Sequence, residues 1–144
     1  MRANIQTYAG LISRVTDVLE QTGEQVDPYF QELKKCLQLG QVEELDQSRL
    51  AEIKSQFQKA TDRYQSIEKE IVNEKAPVKL IGKHQLLKRD YVRYVAECQK
   101  MVDAVDLEHK RIDVQAFSNS EKSQEDIMAQ ITKTLTRIMN LLIG

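Results

Sequence analysis

An all-α fold is predicted for this 144-residue chain: an elongated antiparallel up-down-up-down bundle of three to four long helices with coiled-coil-like packing. Two observations carry that prediction. Apolar residues recur at alternating steps of three and four through four successive stretches, which is the period of one buried helix face. The breaks between stretches are only a few residues long, which forces consecutive helices to run antiparallel.

The first helix is expected over residues 3–39, with Ile5, Tyr8, Ile12, Val15, Leu19, Thr22, Val26, Tyr29, Leu33 and Cys36 on its stripe. The stripe keeps its phase across Gly23 and Pro28, so a single helix bent near 23–28 is favoured over a second helix capped by Asp27. Gly40 sits where a left-handed closing residue is commonly needed. The second helix is expected over 46–75, with Asp46 as N-cap, Leu45 and Leu50 as the pair that fixes its entry, and a stripe of Leu50, Ile53, Phe57, Ala60, Tyr64, Ile67 and Ile71.

Pro77 stops that helix and opens a third over 77–116, whose stripe is Ile81, His84, Leu87, Tyr91, Tyr94, Cys98, Met101, Val105 and Ile112, interrupted at Glu108. Ser118 and Glu121 form a capping-box pattern for a last helix over 119–143, carrying Ile127, Ile131, Leu135, Ile138 and Leu142. Helices of about 30 residues are ~45 Å long, so a rod is expected. The last helix is the shortest, so one end should be three helices thick and expose apolar surface for a partner or a second copy.

Composition narrows the function. The 21 Lys and Arg against 22 Asp and Glu leave a net charge of -1, which argues against nucleic acid as a partner. No window approaches the ~20 apolar residues of a membrane span. Cys36 and Cys98 fall on apolar stripes and are read as free thiols. No phosphate loop, nucleophile elbow or paired carboxylate on an apolar face is present, so no enzyme activity, no cofactor and no catalytic residue are expected. No metal site is expected either: His84 and His109 are 25 residues apart on one predicted helix and cannot share an ion, and His84 reads as a buried, hydrogen-bonded core residue.

The most uneven charge lies at the start of the third helix, where Lys79, Lys83, Lys88, Arg89 and Arg93 face only Asp90. Cations at a helix N-terminus oppose its dipole and invite an anion, and with Tyr91 and Tyr94 alongside they form the candidate site for an anionic polymer. The competing reading is a solvated face paired with Glu68, Glu70 and Glu74, with the two tyrosines as core-edge residues that keep wet hydroxyls.

From Leu50 to Leu142 the order of features resembles the all-helical cell-wall-binding lipoproteins of Gram-positive bacteria. The likeness lies in the charged helix ending at Lys75, the segment LLKRDYVRY from Leu86 to Tyr94, the acidic stretch VDAVDLEHK, and Phe117 before a final helix with Asn140. The resemblance implies a long helical bundle and non-catalytic attachment to envelope polymer. The chain departs from that family in that Cys36 follows Leu33, Lys34 and Lys35 within a helix, and Met1 to Asn4 show no export signal. A cytoplasmic location is expected if Met1 is the native start, and the cell envelope if an export signal was removed.

The functional expectation is a non-enzymatic interaction or scaffold protein that binds a partner, or itself, through an apolar helix groove. The alternative is an envelope-associated module holding an anionic cell-wall polymer on the basic patch.

Overall fold

The computed structural model describes residues 4–143. Position 3, where the first helix was expected to begin, and the Met1–Ala3 segment lie outside that range. Four helices pack against one another: α1 (Ile5–Leu39), α2 (Gln47–Asn73), α3 (Ile81–Asp103) and α4 (Val114–Ile143).

Helix α1 is one unbroken helix across Gly23 and Pro28. Pro28 has no N–H to give the Glu24 carbonyl, but both residues are exposed, so water can take the vacant acceptor. The Asn4 side chain caps the start by accepting from the amides of Gln6 and Thr7. Gly40 closes the end at φ 65°, a conformation cheap only for glycine, and the amides of Gly40 and Gln41 satisfy the carbonyls of Leu37 and Cys36. At the start of α2 the Asp46 side chain makes no capping bond, and the entry is fixed instead by Leu45 and Leu50 in one core cluster.

Two predicted boundaries are corrected. The third helix does not reach residue 116. It starts with a 3-10 turn at Val78–Leu80 and ends at Asp103, and the chain then forms a small antiparallel hairpin of β1 (Val105–Asp106) and β2 (Arg111–Ile112). Ile112, placed on the helical stripe, pairs with Val105 across this hairpin. The cause is local. The Asp106 carboxylate accepts from the His109 amide and sits 2.7 Å from His109 Nδ1, while Lys110 turns the chain at φ 50°.

The fourth helix begins at Val114 rather than 119, because the Asp113 side chain caps it by accepting from the Ala116 amide at 3.0 Å. The Ser118–Glu121 pair therefore lies inside the helix. At 30 residues α4 is longer than α3 at 23, so the expected three-helix end does not arise. The hairpin fills the fourth place there, held by the Lys54 ammonium on the Val105 carbonyl and the Gln47 amide on the Leu107 carbonyl.

Side-chain pairs establish the helix directions. At one end Tyr8 of α1 meets His84 of α3, which reaches Ile71 near the end of α2, and Lys79 reaches the Leu141 carbonyl of α4. At the other end Lys34 pairs with Glu121 and Arg49 with Glu32. Each helix packs most extensively on its neighbours in sequence, and the α1–α4 seam is the least extensive of the four.

The core falls into two clusters. The larger holds Tyr8, Leu11, Ile12, Ile67, Ile71, Leu87, Tyr91, Ile131 and Ile138, and the smaller holds Leu33, Leu50, Ile53, Phe57, Met101, Val105 and Phe117. Val26 packs against both, so it marks their junction on α1.

Candidate functional site

At that junction α1 and α4 stand apart, and a cavity of about 850 Å³ opens between them. Its α1 wall runs along one helix face from Gly23 through Val26, Asp27, Phe30 and Gln31 to Lys34, and its α4 wall from Glu121 through Gln124, Glu125, Met128 and Ala129 to Thr132. Phe57, Ala60, Thr61 and Tyr64 of α2 and Tyr94, Cys98 and Met101 of α3 form the floor. Eleven residues of rise make this trough ~16 Å long, three helical turns.

The gap follows from residue size. Lys34 and Glu121 face each other with Nζ 2.6 Å from Oε2, which fixes the antiparallel register of the seam. Continuing that register brings Gly23 level with Thr132 and Val26 level with Ala129, so at these two levels neither wall carries a long side chain to close the space. A Cβ added at Gly23 would meet nothing within 4 Å. One end of the trough is shut by the Lys34–Glu121 pair and by Phe30 stacked on Phe117, with ring centroids 5.7 Å apart.

The floor is chemically quiet. Tyr64 and Tyr94 meet edge to face, and burial raises the pKa of both phenols, that of Tyr64 to about 12. Burial also pushes the Cys98 thiol up to about 12, which keeps it protonated at neutral pH and a poor nucleophile. The rim is charged. Asp27, Glu121 and Glu125 supply three carboxylates against the single ammonium of Lys34, whose pKa is raised by its bond to Glu121 and, more weakly, by Glu125. Asp27 accepts an amide hydrogen from Gln31 at 3.2 Å.

The sequence-predicted basic site is placed differently. Tyr91 is fully buried and Tyr94 is 8% exposed, so neither ring is on the surface with the cations. The expectation of wet hydroxyls also fails for Tyr91, whose Oη is buried with no hydrogen-bond partner. Arg89 and Arg93 both fold onto the buried Asp90 carboxylate, at 3.1 and 3.2 Å, and so complete a local ion triad. Lys79 is exposed and bonds the Leu141 carbonyl, while Lys83 and Lys88 are half-buried. Glu70, expected to answer these cations, pairs with Arg14 of α1.

His84 is buried between the Tyr8 hydroxyl and the Ile71 carbonyl, each at 2.9 Å. His109 lies on the hairpin. Cys36 and Cys98 are both free thiols. No group of three or more metal-binding side chains occurs among the described residues, and no described helix is long and apolar enough to cross a membrane.

Sequence reasoning missed the trough because each helix was read as a single stripe. The usable signal was apolar residues beside the main stripe: Phe30 next to Tyr29 on α1, one turn after the striped Val26, and Met128 next to Ile127 on α4. No protein family, curated protein or solved structure matches the chain.

Proposed function

We propose that this protein is a non-enzymatic interaction protein, and that a helix of its partner lies along the mouth of the trough between α1 and α4. The observation that carries this reading is the trough itself, an apolar-floored cavity three helical turns long where the bundle could have packed shut. Dividing about 850 Å³ by the ~16 Å length leaves a cross-section of ~50 Å², smaller than a helix 10–12 Å across. One row of side chains fits that section, so the partner helix rests on the rim and lowers residues at i, i+4, i+7 and i+11 onto Tyr64, Tyr94, Cys98 and Met101. Protonated phenols and a protonated thiol suit a binding floor better than a reaction centre.

The burial of Tyr91 and Tyr94 and the pairing of Arg89 and Arg93 with Asp90 weigh for the trough over an anionic-polymer site at the start of α3. A photo-crosslinking residue placed at Gln31, on the exposed rim, tests the trough in native cells, with exposed Gln65 of α2 as the control position. The expected result is a discrete adduct at Gln31 that is absent at Gln65 and is lost when Ala129→Trp fills the trough. An adduct of twice the chain mass identifies a second copy as the partner. Equal labelling at both positions, or labelling that survives Ala129→Trp, refutes the reading.

A further inference from the structure

We infer that the helix received by the trough is basic: an amphipathic segment with an apolar row facing down and Lys or Arg on both flanks. This rests on the groove reading above and adds the partner's charge to it. The lining carries three carboxylates and one ammonium, although the chain as a whole is nearly neutral. The single ammonium, Lys34, is already answered by Glu121 at 2.6 Å. What remains at the mouth is Asp27 on the α1 wall and Glu125 on the α4 wall, one carboxylate on each side, with Glu125 only weakly answered by Lys34. Among the described residues Asp27 receives only a neutral amide N–H, from Gln31.

Two carboxylates on opposite walls of an apolar trough, staggered by about three residues along it, have a direct consequence for an incoming helix. An acidic flank on either side would meet a like charge, whereas a basic flank would meet an opposite one on both sides. The helix thus reads as a stripe of apolar residues with cations displaced by about one residue to either side, so that their stems cover the walls while their heads reach the carboxylates. Gly23 adds a size preference. With nothing within 4 Å of the place its Cβ would take, it leaves open room at the end of the trough away from the Lys34–Glu121 pair, where a large anchor residue fits.

The test uses two fluorescein-labelled 18-residue helical peptides with the same leucine row at i, i+4, i+7 and i+11, one carrying Lys and the other Glu at every flanking position. Binding to the full chain is read by anisotropy at low and high salt. The Lys peptide is expected to bind about tenfold tighter than the Glu peptide, with the difference shrinking as salt is raised. The double reversal Asp27→Lys with Glu125→Lys, at two exposed positions, is expected to invert the preference, while circular dichroism confirms that the bundle stays folded. Gly23→Phe is expected to abolish binding of both peptides.

If both peptides bind equally and the reversal changes nothing, the groove reading stands and the basic-partner inference is overturned. Tighter binding of the Glu peptide overturns it as well. If neither peptide binds, or if binding survives Gly23→Phe, the groove reading itself fails.

Discussion

The Tyr8 hydroxyl lies 2.9 Å from His84 Nδ1 and so joins the first turn of α1 to the first turn of α3, 76 residues further along the chain. On the other side of the ring, Nε2 is 2.9 Å from the Ile71 carbonyl of α2. A carbonyl can only accept, so Nε2 carries the hydrogen, and Nδ1 of the neutral ring accepts from Tyr8. Three helices are thereby tied at one buried imidazole.

That arrangement makes stability depend on pH. Protonation would turn Nδ1 into a donor and leave the Tyr8 hydroxyl hydrogen without its acceptor. Burial lowers the His84 pKa below 6.5 and Lys88 pushes the same way, while the Ile71 carbonyl and Glu74 oppose them. The unfolded chain therefore binds more protons than the folded one at mildly acid pH. The stability His84 contributes is complete above pH ~6.5 and is lost as pH falls through the depressed folded value. His84→Gln keeps a donor near Ile71 but does not titrate. Melting temperatures of both proteins from pH 8 to 5 should show the wild type losing more on acidification. Parallel curves would refute the assignment.

Tyr91 buries a hydroxyl that bonds to nothing, and so does Thr22, which is 1% exposed. An unsatisfied buried hydroxyl costs about 1–3 kcal/mol. Tyr91→Phe removes the oxygen and keeps the ring, so it should raise stability by about 1 kcal/mol and the melting temperature by ~2–4 °C. Thr22→Val should act in the same direction. A lower melting temperature for Tyr91→Phe would show that the hydroxyl has a partner in solution.

Lys110 holds φ 50° at the hairpin turn, where a side chain carries a penalty of roughly 1–2 kcal/mol that glycine escapes. Its ammonium also bonds the Glu43 carbonyl at 3.0 Å, and that bond is lost on substitution. Lys110→Gly is expected to be more stable than Lys110→Ala by about 1 kcal/mol, because both lose the bond and only glycine relieves the strain. Urea midpoints at unchanged m-value would measure this difference, and equal midpoints would show that the turn relaxes around alanine.

The all-helical bundle was legible because its residues obey a single rule: Ile53, Phe57, Tyr64, Ile67 and Ile71 fall on the predicted stripe, and all are buried. The hairpin was not legible. Val105 and Ile112 are seven residues apart, a spacing that suits a helix stripe, and only the charge at Glu108 hinted that the helix had ended. Asp113 was a stronger cap than Ser118 because the hairpin delivers it beside the Ala104 carbonyl, where its own amide donates at 2.8 Å. Such long-range placement is invisible to local pattern.

The candidate site was legible only as chemistry without location. A groove was expected with no position along the rod, and the trough lies between α1 and α4 beside residues 23–34 of α1. Charge counting drew attention to Arg89 and Arg93 and could not reveal that Asp90 holds both. The trough depends on which residues meet across a seam, and Gly23 and Ala129 are more than 100 positions apart in sequence.

The sparse seam between α1 and α4 also bears on the order in which the chain folds. Every extensive helix contact joins consecutive helices, so the bundle can assemble by short loop closures, as fast-folding helical proteins do. Bringing α1 to α4 closes a loop of nearly the whole chain for the smallest contact, so it comes last in folding and opens first under stress. Amide hydrogens of α1 between Gly23 and Lys34 would then exchange sooner than those of α3, and a bound helix would slow them most.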